Sequence, residues 1–94
     1  MKSIVQQKEE CWFCKTTKEL HDHHIFEGTA NRRLSEKFGL KVKVCAFHHN
    51  LGGRYCVHQN KEMELELKIA GQTAFENKYP DLEFIKIFGR NYKW

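Results

Sequence analysis

The chain has 94 residues, with 16 Lys plus Arg against 12 Asp plus Glu and a formal net charge of +4. That length fits one domain with a modest core, for which an added constraint such as a structural metal is expected. No stretch approaches the roughly 18 apolar residues of a membrane span, and the charge suits a polyanionic partner without requiring one.

Residues 1–10 are polar and are expected to form a flexible N-terminus ahead of a single domain over 11–94. They hold no apolar run of signal-peptide length. The expected compartment is therefore a reducing cytoplasm, where the four cysteines are free to bind metal rather than pair as two disulfides. Cys11-Trp12-Phe13-Cys14 reads as a zinc knuckle, because a two-residue gap lets both thiolates converge on one ion. Residues 19–26, Glu-Leu-His-Asp-His-His-Ile-Phe, read as a strand or a loosely extended segment. Thr29 is placed to cap a helix over 30–38, with Leu34 and Phe38 on one face and Gly39 ending it in a left-handed turn. Leu40, Val42 and Val44 alternate with Lys41 and Lys43, the pattern of a half-buried strand that delivers Cys45.

Beyond it, Asn50-Leu51-Gly52-Gly53-Arg54-Tyr55 is turn-forming, and Asn60 can cap a helix over about 61–78 with Met63, Leu67, Ala70 and Ala74 as its apolar stripe. Pro80 stops that helix, and Asp81 can cap a last short one containing Phe84, Ile85 and Phe88, ended by Gly89. The C-terminal aromatics are expected in the core rather than on a base-stacking platform.

Cys11, Cys14, Cys45 and His48 supply two half-sites about thirty residues apart and make a closed tetrahedral set for structural zinc. Cys56 is a spare thiol, and either it or His49 is an alternative fourth ligand. Outside the set lie His21, His23, His24, His49 and His58. Adjacent side chains of a strand point to opposite faces, so His23 and His24 can divide metal holding from proton abstraction. Phosphodiester hydrolysis needs that division: a divalent ion on the phosphate, and an imidazole titrating near the working pH to take a proton from water. Arg32, Arg33, Lys37 and Arg54 are candidates for contacts to a nucleic-acid backbone.

The succession Cys-x-x-Cys (11–14), His23-His24-Ile25-Phe26, and Cys-x-x-His-His (45–49) resembles the HNH endonucleases of the His-Me finger (ββα-metal) superfamily. The likeness is to the zinc-containing form common in bacteriophage genomes. The segment 26–37, Val-His-x-Asn (57–60) and Phe-Gly-Arg-Asn-Tyr (88–92) look especially like small phage nucleases associated with recombination genes, so the resemblance spans roughly 11–92. It implies an α+β fold: a small ββα-metal core stapled by zinc, with additional C-terminal helices. His23 is then the first ligand of a catalytic Mg²⁺ or Mn²⁺ ion and His24 the general base. His49, on the helix of the ββα unit, is the second ligand, and His58 is the third or a contact to the scissile phosphate.

A frame shifted by one would make Asp22 the ligand and His23 the base. The chain departs from the family pattern at the middle asparagine; Asn31, Asn50 and Asn60 remain alternatives for orienting the base. The resemblance implies cleavage of DNA in phage recombination or DNA processing within a bacterial cytoplasm, with a recombination protein or a second copy as candidate partners. Two other classes compete: a catalytically inactive zinc-stabilised nucleic-acid-binding module, and a phage protein-interaction or inhibitor domain.

Overall fold

The computed structural model describes residues 2–93. Its centre is a two-stranded antiparallel sheet of β1 (Leu20–His24) and β2 (Lys41–Cys45), in which His23 pairs with Val42 and His21 with Val44. Alternation places Leu40, Val42 and Val44 in the core, with at most 2% of their surface exposed, and leaves Lys41 and Lys43 half-buried on the other face. On β1 the same alternation buries His23 and exposes Asp22.

Between the strands runs helix α1 (Thr29–Phe38). It begins one residue earlier than the sequence suggests, and Thr29 is not its cap. Gly28 stands at the N-cap with φ 92 and accepts from the Arg32 N–H, and no side chain bonds the helix end. The reason is conformational: the chain must turn sharply out of β1, and that left-sided φ suits glycine and strains threonine. Gly39 ends the helix in the left-handed conformation, as expected. A Cβ there would collide with the Lys2 carbonyl oxygen. Ser35, fully buried, accepts from the Phe26 N–H at 3.1 Å and donates to the Phe26 carbonyl at 3.0 Å, so α1 is clamped to the exit of β1.

The first residues, expected to be a flexible lead-in, lie along β2. The Ile4 N–H donates to the Gly39 carbonyl, Ser3 Oγ to the Lys41 carbonyl, and Gln6 Oε1 accepts from the Lys43 N–H at 2.7 Å. Polarity alone does not show this, because these polar side chains satisfy backbone groups on the open edge of the strand.

Helix α2 (Lys61–Lys78) backs the sheet. Asn60 caps it, its Oδ1 accepting from the Glu62 and Met63 N–H groups at 3.0 and 3.1 Å. Its buried face is Leu67, Gly71, Gln72 and Phe75; the expected stripe through Met63, Ala70 and Ala74 is only half-buried. The face is rotated because Gly71 admits Ile25 and Phe26, whose side-chain carbons would lie 3.1–3.3 Å from a Cβ at that position. Helix α3 (Phe84–Phe88) follows, with Glu83 rather than Asp81 at its N-cap and no side-chain cap bond. Phe84 and Phe88 stack at 4.6 Å and join Phe26, Phe38 and Phe75 in one aromatic cluster, so the C-terminal aromatics are core. Gly89 closes the helix in the left-handed region. Gln72 ties the tail down, accepting from the Tyr92 N–H at 2.8 Å and donating to Asn91 Oδ1 at 2.9 Å.

The molecule is thus a small α+β unit, a two-stranded sheet with helices packed against it. No helix among the described residues is long and apolar enough to cross a membrane.

Candidate metal centres

Cys11 and Cys14 sit in a tight turn closed by the Lys15 N–H on the Cys11 carbonyl, with Lys15 at φ 68. The Trp12 N–H donates to the Lys43 carbonyl at 2.9 Å and docks this turn beside β2, whose last residue is Cys45. His48 follows in a short π-helical turn, Phe47–Leu51. One ligand atom from each of Cys11, Cys14, Cys45 and His48 lies within 4.8 Å of the other three. Cys14 Sγ and Cys45 Sγ are 3.7 Å apart, and His48 Nδ1 is 3.3 Å from Cys45 Sγ and 3.8 Å from Cys11 Sγ. Ligands at about 2.0–2.3 Å around a tetrahedral ion stand about 3.3–3.8 Å apart, so these spacings fit zinc.

The chemistry agrees. Burial raises the Cys11 thiol, but backbone groups at Cys14, Cys45 and Phe13 outweigh it and lower it overall, favouring thiolate; burial leaves Cys45 raised. The rival fourth ligands are both engaged elsewhere. Cys56 is buried with its Sγ donating to the Gly53 carbonyl at 2.9 Å, and His49 belongs to a second group.

That second group is His23, His49 and His58. His23 projects from the core face of β1. His49 comes from the π-helical turn, where the family resemblance implied a regular helix; Gly52 and Gly53 interrupt the chain directly afterwards. His58 is brought alongside because the Val57 N–H donates to the His48 carbonyl at 2.6 Å. His49 Nε2 and His58 Nε2 face each other at 3.1 Å, and the buried His23 Nε2 has no hydrogen-bond partner among the described residues. Two ring nitrogens at 3.1 Å are compatible only if a proton or a cation lies between them, and about 3.0–3.4 Å is the separation of two imidazoles on one ion. Burial first, then the neighbouring His58 and His49, holds His23 down to about 3, and burial lowers His49 as well. Both are therefore neutral near pH 7, which is the form that ligates. Three nitrogen donors suit zinc, iron or nickel; Mg²⁺ prefers an oxygen shell, and the expected Mg²⁺ or Mn²⁺ finds no carboxylate in this set.

The His23–His49–His58 set opens onto a cleft of about 980 Å³, which Arg32, Arg33, His24, Glu27, Glu36 and Lys41 also line. His24 Nε2 is 3.0 Å from Glu36 Oε2, and Lys41 Nζ holds the same oxygen at 3.0 Å. His24, then Lys41, draws the Glu36 carboxyl down to about 2. A carboxylate that accepts from Nε2–H leaves Nδ1 of His24 with the free lone pair.

The structure thus brings His23, His24, His49, His58, Arg32 and Arg33 to one cleft. Lys37 and Arg54 are not among its lining residues: Lys37 lies over the Phe38 ring and Arg54 over the Tyr55 ring. Asp22 also lines the cleft, but it pairs with Lys43 at 2.6 Å and does not belong to the His23–His49–His58 set, so the geometry favours His23 over Asp22 as ligand. Asn60 is occupied as a helix cap, its Nδ2 donating to the Arg54 carbonyl, and Glu36 rather than an asparagine holds His24. Sequence reading also missed His21, whose Nδ1 is 3.0 Å from His49 Nδ1, and Glu27, whose Oε1 is 3.4 Å from His58 Nδ1. His21 had a signal, since it stands two residues before His23 on the same strand face. Glu27 and Glu36 had none.

Comparison with protein-family models, with curated proteins and with solved structures finds no match for this chain, so its function is argued from the geometry of these two clusters and the cleft.

Proposed function

We propose that the chain is a metal-dependent endonuclease of the HNH, ββα-metal kind, hydrolysing DNA phosphodiester bonds, with Cys11, Cys14, Cys45 and His48 as a structural zinc site. The observation that carries the reading is His24 opening onto the same cleft as the His23–His49–His58 set, beside Arg32 and Arg33. A binding module has no need of a second cluster of neutral ligands next to a further imidazole held by a carboxylate.

His23, His49 and His58 would hold a divalent ion, which supplies the charge that polarises the phosphate and stabilises the leaving 3′ oxygen. His24, its Nε2 anchored on Glu36, accepts the proton of the attacking water at Nδ1. Arg32 and Arg33, on the first turns of α1, draw the phosphate backbone into the cleft and set its register without reading bases. In-line attack leaves 5′-phosphate and 3′-hydroxyl ends.

The test is cleavage of supercoiled plasmid and of labelled single-stranded DNA with Zn²⁺, Ni²⁺, Mn²⁺ or Mg²⁺, for wild type and His24→Ala at equal zinc content. Loss of a general base is expected to slow cleavage by about 10²–10⁴-fold while both metal sites stay loaded. DNA binding without cleavage by wild type under every ion would replace this reading with the zinc-stabilised binding module.

A further inference from the structure

Each of the two outer histidines of the second cluster has one ring nitrogen turned inward and the other facing a polar neighbouring side chain. His58 turns Nε2 toward His49, and its Nδ1 faces Glu27 Oε1 at 3.4 Å. His49 turns Nε2 toward His58, and its Nδ1 meets His21 Nδ1 at 3.0 Å. We infer that Glu27 and His21 are positioning residues that select the ligating tautomers of His58 and His49. The inference rests on the metal reading of the His23–His49–His58 set.

The proton inventory supports it. A neutral imidazole has one N–H and one lone pair. The carboxylate of Glu27 can only accept, so Nδ1 of His58 carries the hydrogen and Nε2 keeps its lone pair for the ion. Between the facing Nδ1 atoms of His49 and His21 there is room for one hydrogen. Placed on His49, it frees Nε2 of His49 to ligate and leaves His21 as acceptor, with the His21 hydrogen on its own Nε2. The carboxylate of Glu27 thus enforces, and His21 as acceptor permits, the same outcome, two Nε2 lone pairs converging 3.1 Å apart. A hydrogen bond donated from the far nitrogen also raises the basicity of a ligating imidazole. His23, the third ligand, lacks such a partner but is fixed by burial, with 3% of its surface exposed.

The elements explain why these two residues are available. His21 and His23 lie on one face of β1, so the strand that supplies a ligand also supplies its neighbour's partner. Glu27 stands just beyond β1, before the Gly28 turn, on the rim of the same cleft as His58. Its side chain is 48% exposed, so replacing it is expected to cost the fold little.

The experiment is calorimetric titration of Zn²⁺ into protein already carrying one zinc per chain, for wild type, Glu27→Ala, Glu27→Gln and His21→Phe, with imidazole ¹⁵N shifts recorded alongside. Glu27→Ala and His21→Phe are expected to weaken the second equivalent by about 10–100-fold, with the thermal midpoint and first zinc retained. Glu27→Gln, which still offers an accepting oxygen, should fall between. The ¹⁵N spectra should show hydrogen on Nδ1 of His58 and His49 in wild type, and a mixture of tautomers in the Ala and Phe variants. Second-site affinities within about twofold of wild type, or unchanged tautomers, overturn the positioning role while leaving the nuclease reading in place. A wild type that takes up no second ion overturns both. Weaker binding of the second ion in a protein that never cleaves DNA supports the positioning role and sinks only the nuclease.

Discussion

Glu36 shows how one surface carboxylate can tie a candidate base into the fold. It receives His24 and Lys41 on the same oxygen, and its carboxyl is drawn from 4.5 down to about 2, chiefly by the His24 contact. The sign follows from linkage: a carboxyl lowered in the folded state adds stability at pH values above its ordinary range, and that stability is lost as pH falls through the folded value. With its side chain 48% exposed, the contact is screened and its share of stability is small. The direct check is the Glu36 carboxyl ¹³C shift, which should still report an ionised group near pH 4, where an ordinary glutamate is more than half protonated. Replacing Glu36 with Gln keeps a hydrogen-bond acceptor and removes the charge. Plasmid cleavage by Glu36→Gln should slow by roughly tenfold, less than the about 10²-fold that a fully misplaced group can cost, with no change in metal content. A variant as fast as wild type would remove Glu36 from the mechanism.

At the scale of elements, α2 packs against the residues that leave β1, and Gly71 is a point of close approach. A Cβ there meets Phe26 at 3.1 Å and Ile25 at 3.3 Å, immediately after the His23-His24 pair. Gly71→Leu is therefore expected to cost about 1–3 kcal/mol by overpacking, seen as a lower denaturation midpoint with unchanged denaturant dependence. It should also loosen the second metal site more than the first, since Cys11 and Cys14 lie on a separate turn. A neutral effect on stability would show that the helix can slide.

This is also where the sequence stops being informative. The bounds of α2, its Asn60 cap, the β2 alternation, the glycine stops and the zinc spacing are all local, and each was legible. Thr29 and Asp81 misled because a good capping residue is only a cap if the chain enters the helix at its position, and Gly28 and Glu83 took those places. The expected stripe on α2 slipped because a glycine, which carries no hydrophobic signal, marks the buried face. Among site residues, the Cys11–Cys14–Cys45–His48 cluster was readable from paired spacings, and the grouping of His23, His49 and His58 was implied by the family resemblance. Glu27 and Glu36 were not legible, because Glu36 meets His24 only after the Gly28 turn folds α1 back over the strand, and Glu27 meets His58 only once the segment after the π-helical turn returns to the end of β1.

On the scale of the whole molecule, a short chain relies on metal where a larger one relies on core. Folded domains stand only about 5–15 kcal/mol above the unfolded chain, and a structural zinc contributes folding free energy directly. Stripping both sites with a strong chelator should abolish the cooperative thermal transition or lower its midpoint by more than about 10 °C. Zinc alone should restore it. An unchanged melt after verified removal of metal would make the Cys11–Cys14–Cys45–His48 cluster incidental to stability. Charge acts at the same scale. Arg32 and Arg33 stand in the cleft, whereas Lys37 and Arg54 do not line it. Exchanging both cleft arginines for Gln should weaken DNA binding and flatten the dependence of log affinity on log salt by roughly one to two; the same exchange at Lys37 and Arg54 should change the slope less. Equal effects from both pairs would move the DNA path off the cleft.

His48 and His49 are neighbours in a single turn, yet one serves the cysteine cluster and the other the histidine cluster. That adjacency imposes an order in time. Without zinc the Phe47–Leu51 turn keeps only backbone bonds such as the Val57 N–H on the His48 carbonyl, so His49 is expected to be held less firmly beside His23 and the second cluster to assemble more weakly. Acquisition of the first ion would then act as a maturation step, and for the proposed nuclease it would delay cutting until folding is complete. Mature protein in a zinc-starved cell would lose cutting activity before its helices melt.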